Sequence, residues 1–332
     1  MSKHDIIIGI VGGSGFIGSF LARHFSKTCK VKVLDITAPR FDLDDSARYE
    51  YCDVRNYDNV HSALSDVDVV LHTAIIQIPQ INENKRVAYE VNVLGTQNVC
   101  EAVRSLSHAK GMILAGSWHT IGERELSGTV NEEFGFRPDK VEDRARLYSL
   151  SKMAQEAIVR FYDEMSEKVY GVIRTGTALG EGMPENTAAR IFIERAARGE
   201  SITPYKHSMY RPMLYVDVDD VCRAYDSFVN KILNDEIDKS GNSLARIVNI
   251  YYPEPISILD LAEIVRDCVT THTQGKVKPH IEIVDKHLPP LFSKQDKERI
   301  KVDIGKAERL LGIDSFLSPK ESVEKLVRSR HL

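Results

Sequence analysis

The chain has 332 residues, enough to bury a large core as one large α/β unit or about two domains. With 42% hydrophobic and 28% charged residues it has the composition of a globular protein, and a formal net charge of -4 gives no electrostatic reason to expect a nucleic-acid or anionic-membrane partner. Its five cysteines (Cys29, Cys52, Cys100, Cys222, Cys268) are scattered without a C-x-x-C pair, which argues against a disulfide framework or zinc site and for a reducing, cytoplasmic setting.

The first apolar run, "DIIIGIV" at 5–11, turns at once into glycines. It is too short for a membrane span and lacks the small-residue cleavage site of a signal peptide, so it reads as a strand. Further β-rich runs follow at 30–35, 48–54, 67–74, 111–116 and 168–176, and amphipathic stretches at 16–27, 56–64, 87–106 and 148–165 alternate with most of them. Strands alternating with helices predict a parallel sheet covered on both faces, and right-handed crossovers make it a Rossmann-type doubly wound α/β fold. After about residue 174 the rhythm loosens through "GEGMPENT" and "YKHSMYRPMLY", before a helix at 218–233 and a strand at 246–252 return. The expected division is a first domain over 1–176, which 217–252 rejoins, and a smaller discontinuous C-terminal substrate lobe made of 177–216 and 253–332.

Gly12, Gly15 and Gly18 fall at the turn from the first strand into the first helix, which Phe16 and Ile17 begin. Glycines there allow a tight turn and let a pyrophosphate approach the N–H groups of the helix N-terminus. Asp35, at the end of the next strand, can accept hydrogen bonds from both adenosine ribose hydroxyls and would repel a 2′-phosphate, so NAD is favoured over NADP. The histidines show no metal-like pairing, and no metal is expected.

Tyr148 and Lys152 are four residues apart and share one helix face. Oxidising a carbinol needs a base for the hydroxyl proton. For a phenol to serve near neutrality its pKa must fall by roughly 3 units, about 4 kcal/mol, and a nearby ammonium acts in that direction. Ser117, just past the "MILAG" run, lies at the carboxyl edge of the sheet, where its hydroxyl can donate to a developing alkoxide. From the residues alone, a solvated Tyr–Lys pair and a turn-forming serine stay open as alternatives.

The G-x-x-G-x-x-G spacing together with "YSLSK" at 148–152 resembles the extended branch of the short-chain dehydrogenase/reductase superfamily, the NAD-dependent epimerase/dehydratase family, over nearly the whole chain. In that resemblance "CDVRN" supplies Asp53 and Val54 beside the adenine. "VVLHTA" (His72, Thr73, Ala74) and "VNVLGTQNV" (Asn92) match segments flanking the nicotinamide half, and "VIRTGTALGEG" carries Thr175 toward the substrate lobe. The resemblance implies NAD as cofactor and Ser117, Tyr148 and Lys152 as the catalytic set, with Lys152 also bonding the nicotinamide ribose. It further implies a small-molecule substrate of the UDP- or dTDP-sugar kind, Arg211 against its diphosphate, Asn92 as structural support, and a homodimer through a four-helix bundle built from 87–106 and 148–165.

One stretch departs from the pattern. Where sugar dehydratases of the family carry an acidic pair after the catalytic hydroxyl, "GSWHTIG" has Trp118 and His119. It is similar to the Ser-x-His segment of uronate dehydrogenases, in which His119 would donate to a sugar hydroxyl or carboxylate; a satisfied loop histidine is the alternative, and for Trp118 core filling is expected over a sugar-stacking platform. Glu123 and Arg124, which follow the serine loop, either face the substrate or are solvated, and the solvated reading is favoured. Arg144 and Arg146, in the charged segment before Tyr148, either reach an anionic substrate or form a solvated helix face. Arg190, Tyr205, Lys206 and Tyr210 join Arg211 as candidates for phosphate and base recognition. The leading expectation is a nucleotide-sugar 4-epimerase acting through a transient 4-keto sugar. A sugar or uronate dehydrogenase/reductase is the alternative, and a non-catalytic dinucleotide sensor is the third reading.

Overall fold

Seven strands form one parallel sheet in the structure, a computed structural model that describes residues 5–330. The strands are β1 (Ile7–Val11), β2 (Lys30–Asp35), β3 (Ala47–Tyr51), β4 (Val69–His72), β5 (Gly111–Ser117), β6 (Val169–Thr175) and β7 (Ile247–Ile250). They lie in the order β7-β6-β5-β4-β1-β2-β3, and every neighbouring pair is parallel. β4 to β7 are buried at every residue, which is why they read as near-continuous apolar runs rather than alternating ones. The order reverses between β1 and β4, and a crevice opens beyond their carboxyl ends, where a doubly wound sheet takes its ligands. The Rossmann-type α/β fold expected from the sequence is the fold observed.

The helices that matter for the site are α1 (Phe16–Phe25), α2 (Tyr57–Ala63), α3 (Gly95–Ser105), α4 (Arg146–Glu164), α5 (Ala188–Ala197), α6 (Val218–Leu233), α7 (Ile258–His272) and α8 (Pro319–Arg328). The amphipathic stretch at 87–106 is not one continuous helix. A short helix at Lys85–Tyr89 widens into a π-helical turn at Glu90–Leu94 before α3 begins. That turn carries Asn92, whose buried side chain bonds the backbone of Ile76, and such turns concentrate at functional sites.

After β6 the chain forms two short strand pairings: Thr177–Leu179 runs parallel to Tyr215–Asp217, and Pro212–Met213 runs antiparallel to Ile256–Ser257. Helices α5 and α8 both pack on α7, whose start is fixed by a reciprocal cap between Ser257 and Asp260. One buried cluster runs from Ile8, Ile113 and Ile173 in the sheet through Tyr225 to Phe192, Leu261 and Val323, so the later segments are packed onto the sheet.

Helix α4 is fastened to the sheet by a buried ion pair. Arg174 of β6 donates Nε to Glu156 at 2.8 Å and a terminal nitrogen to its other oxygen at 2.5 Å, both side chains being almost wholly buried. A third guanidinium nitrogen donates to the Glu132 carbonyl at 3.0 Å. Removing one charge of such a pair strands the other in the interior. Glu156→Gln should therefore cost about 3–5 kcal/mol of unfolding free energy, read from the urea midpoint at unchanged slope. A loss below about 1 kcal/mol would show that the pair does not hold α4.

Candidate active site

The turn between β1 and α1 is built so that its backbone can be approached closely. Gly12 has φ +81°, and a Cβ there would lie 2.4 Å from the Ala74 nitrogen. A Cβ on Gly18 would lie 2.4 Å from the Gly12 carbonyl oxygen, so this glycine lets α1 pack on the turn. At Gly15, by contrast, an added Cβ would meet only the Gly12 oxygen, at 3.2 Å, and no side chain caps the first turn of α1. The helix N-terminus thus keeps its N–H groups for a ligand. Asp35 ends β2 beside this turn, accepting hydrogen bonds from the Ser14 and Thr37 nitrogens at 3.1 Å each.

A crevice of about 330 Å³ runs along these groups. Gly12, Gly15, Phe16, Ile17, Gly18 and Asp35 line one part, with Asp53, Val54, Thr73 and Ala74 beside them. Tyr148, Lys152 and Thr175 line it as well. Asp53 is held by the Arg55 guanidinium at 2.6 Å, which keeps its carboxyl below the usual range. A glycine cradle, an uncapped helix start and a carboxylate at the end of the second strand suit a dinucleotide, and these residues fit NAD.

Two expected cofactor residues sit elsewhere. His72 lines neither cavity: it is fully buried, with Nε2 2.9 Å from the Thr96 hydroxyl, and burial together with the Lys152 charge holds its pKa down at about 3. The alternation of β4 explains this, since the residue after the strand, Thr73, is the one that reaches the crevice. Asn92 is also fully buried. It accepts from the Ile76 nitrogen at 2.7 Å and donates to the Ile76 carbonyl and the Ser151 hydroxyl at 3.1 Å each, fixing a crevice wall from behind.

A second cavity of about 360 Å³ shares Phe16, Ile17, Gln77, Tyr148 and Thr175 with the first. Ser117, Trp118, His119, Arg144 and Arg211 also line it, facing the start of α5. Lys152 donates to the Ala115 carbonyl at 2.6 Å, and Ser149 to that of His119 at 2.7 Å, so this end of α4 is docked on the end of β5. The Ser117 hydroxyl accepts from the His119 nitrogen at 3.2 Å and lies 3.3 Å from His119 Nδ1, and it shares the wall of this cavity with Tyr148. The His119 ring meets that of Tyr148 edge-on at 5.8 Å.

The electrostatics of this corner differ from the sequence expectation. Burial raises the Tyr148 phenol and the Ser117 hydrogen bond only opposes it, while burial lowers Lys152 to about 7. Desolvation of both groups outweighs any help the ammonium gives the phenol. His119 is lowered to about 4 by burial, with Glu123 acting against the shift and Arg211 and Arg144 adding to it. It is a neutral imidazole at pH 7.

Other candidates separate clearly. Trp118 is core filling at the cavity edge, its indole N–H donating to the Thr177 hydroxyl at 3.1 Å. Glu123, expected in solvent, is buried and accepts from the Glu142 nitrogen at 3.2 Å; Arg124 lies 3.9 Å from Asp143. Arg146 is exposed and paired with Asp143 at 2.7 Å. Arg190 is held by Glu194 at 2.7 Å and Lys206 by Asp285 at 2.9 Å, while Tyr205 stacks on His207. None of these three, nor Tyr210, lines either cavity. Sequence reasoning missed Gln77, Ile78 and Pro79, in the loop after β4, and the buried Glu142. No motif marks them. Among the described residues no cluster of metal-ligating side chains occurs, and no helix is long and apolar enough to cross a membrane.

The family model described as NAD dependent epimerase/dehydratase matches residues 8–242. The chain is 23% identical to UDP-glucuronic acid decarboxylase 1 of Danio rerio, over 96% of this chain and 71% of that protein. It is 28% identical to the decarboxylating sterol-4-alpha-carboxylate 3-dehydrogenase of Bos taurus, over 58% of this chain and 51% of that protein. Among solved structures, the UDP-glucuronic acid 4-epimerase of Bacillus cereus, in complex with UDP-glucuronic acid and NAD, superposes with a TM-score of 0.76 at 20% identity, covering 98% of this chain and 99% of that one.

The buried Lys152 gives the site a pH signature. Its amine loses its proton near pH 7 in the folded protein, against an ordinary value of 10.5. Between those values the unfolded chain binds one more proton, so stability rises with pH by at most about 1.4 kcal/mol per unit and the cost of the buried charge is fully felt below the window. Lys152→Met should remove that slope from the urea midpoints measured across the window. Parallel slopes in the two proteins would mean that Lys152 is charged throughout.

Proposed function

The chain belongs to the NAD-dependent epimerase/dehydratase family, and on that premise we propose that it is a nucleotide-sugar epimerase, specifically a 4-epimerase working through a transient 4-keto sugar. The observation that carries this reading is that Tyr148 belongs to the walls of both cavities, the one that fits a dinucleotide and the one beside it. NAD bound in the first supplies a reversible hydride acceptor. Around it, Tyr148 takes the proton of the C4 hydroxyl at its phenolic oxygen and later returns it, and Ser117 donates to the same substrate oxygen. Lys152 hydrogen-bonds the cofactor ribose, and Gly12, Gly15, Gly18, Asp35, Asp53 and Thr73 hold the rest of the cofactor. Residues 1–176 with 217–252 form the dinucleotide domain in this reading, and 177–216 with 253–332 the substrate lobe; the pairing of β7 with β6 and the mutual packing of α5, α7 and α8 support that division.

His119 supports a second reading, net oxidation of a sugar acid, because an imidazole stands beside the Ser117 hydroxyl as the Ser-x-His similarity to uronate dehydrogenases implies. The protein is proposed to act in the cytoplasm as a homodimer. Its five cysteines are buried and form no disulfide, and Leu94 before α3 and Phe161 and Met165 at the end of α4 expose apolar surface on neighbouring helices tied together by the Tyr162–Glu101 hydrogen bond.

Incubation with NAD and a panel of UDP-sugars tests the assignment. Epimerised sugar without net NADH is the expected product, and net NADH from a sugar acid would move the assignment to the dehydrogenase. Tyr148→Phe should bind NAD as the parent does and lose about 100- to 10,000-fold in turnover. Turnover that survives the substitution would remove Tyr148 as the base.

A further inference from the structure

Ser117 ends β5 with an extended backbone, and the chain turns at once into a short 3-10 helix at Trp118–Ile121. This turn folds His119 back over the serine. The Ser117 oxygen accepts from the His119 backbone nitrogen at 3.2 Å, and Nδ1 of the same residue lies 3.3 Å from it. The imidazole is held on two further sides, with its centre 4.6 Å from that of the Trp118 ring and 5.8 Å from that of Tyr148, which it meets edge-on. Its backbone is fixed as well, because Ser149 at the start of α4 donates to the His119 carbonyl at 2.7 Å. Nε2 has no hydrogen-bond partner among the described residues and is not sealed in the interior. His119 lines the second cavity, so Nε2 is the nitrogen left for a ligand there.

The ring has a single proton to place. Burial first, then Arg211 and Arg144, keep it neutral at pH 7 against the pull of Glu123. Glu123 bonds the Glu142 nitrogen through one oxygen and leaves the other unpartnered, so it does not pair with the ring. A neutral imidazole carries one N–H donor and one bare acceptor nitrogen, and the hydrogen bond made by one nitrogen decides the state of the other.

The serine supplies that decision. A hydroxyl has one hydrogen to give and two lone pairs to fill. With the proton on Nε2, Nδ1 would be an acceptor and would claim the Ser117 hydrogen, leaving the serine unable to donate to a substrate oxygen. With the proton on Nδ1, that N–H and the His119 backbone N–H fill both lone pairs of Ser117, and its own hydrogen is free to point into the cavity. Only the second arrangement gives a donor for a developing alkoxide.

Resting on the reading of Ser117 as donor to the reacting oxygen, we propose that His119 keeps its proton on Nδ1 for Ser117 and presents Nε2 as a bare acceptor that reads a hydroxyl on the carbon next to the reacting carbinol. His119 is then a positioning residue for Ser117 and a specificity-determining residue for the substrate. Toward the substrate its sense is opposite to the donation that the similarity to uronate dehydrogenases implies. Ser117 and Nε2 stand one imidazole ring apart, so a substrate held at Ser117 through one hydroxyl reaches Nε2 with the next. For a 4-epimerase that next hydroxyl is the one on C3. A group there that can only accept, such as a fluorine, would set lone pair against lone pair.

The first test is the nitrogen NMR spectrum of the histidine rings in the NAD-loaded protein at pH 7, with His119 assigned by its loss in His119→Asn and His119→Gln. Nδ1 should be protonated and Nε2 bare, and the reverse would overturn the proposal whatever the substrate is. The second test is kinetic. An asparagine amide can stand where Nδ1–H stands and a glutamine amide where Nε2 stands, so His119→Asn should keep about tenfold more kcat than His119→Gln. The third is calorimetry on NAD-loaded Tyr148→Phe, in which no turnover interferes. UDP-3-deoxy-3-fluoroglucose should bind about three- to tenfold more weakly than UDP-glucose, and adding His119→Asn should erase the difference. Equal affinities with His119 in place, or a larger kcat for the glutamine variant, would also overturn the proposal. If the proton is seen on Nδ1 but no UDP-sugar binds, the Ser117–His119 pairing stands and the nucleotide-sugar reading falls instead.

Discussion

The site depends on the docking of one face of α4 against the carboxyl ends of β5 and β6. Tyr148, Lys152 and Glu156 recur every four residues and so project from the same side of the helix. Lys152 reaches the Ala115 carbonyl at 2.6 Å and Glu156 meets Arg174 in the buried ion pair, so both the rotation and the height of the helix are set at two points. Tyr148, one turn before Lys152, is then carried to the cavity wall that it shares with Ser117, where β5 ends. Sliding the helix by one residue would turn all three side chains by about 100° and remove the wall that the two cavities share.

Burial, which encloses this corner, also works against its chemistry. It raises the phenol, lowers Lys152 to about 7 and lowers His119 to about 4. The protein therefore holds a largely neutral set of polar groups beside two cationic arginines. Positive charge near Tyr148 favours its ionised form. An oxidised nicotinamide ring carries a charge of that kind, which would tie the base to the presence of its cofactor.

The sheet, the glycine turn and the Tyr148–Lys152 spacing were legible in the sequence because each is local. A strand's period, a turn's need for φ above zero at Gly12 and a helix repeat all act over a few residues. Asp35 was legible for the same reason, since its place follows from where one strand ends. His72 was misplaced because its segment fixed the strand but not which side of it faces the crevice. Glu123 and Glu142 were illegible: in "GERE" and in "RPDKVEDRARLYSLSK" nothing separates the carboxylate that turns inward from the charges that meet solvent. Their burial arises from segments brought together by tertiary packing. Arg190 and Lys206 were overread for the converse reason, because their partners Glu194 and Asp285 neutralise them outside the cavities.

The most direct measurement is a crystal structure of the protein with NAD and a UDP-sugar bound. The dinucleotide should extend through the crevice from Asp35 to Thr175, with the reacting hydroxyl oxygen about 2.6–3.2 Å from both the Tyr148 and the Ser117 oxygens. A dinucleotide bound elsewhere, or a substrate hydroxyl that reaches neither side chain, would contradict the account.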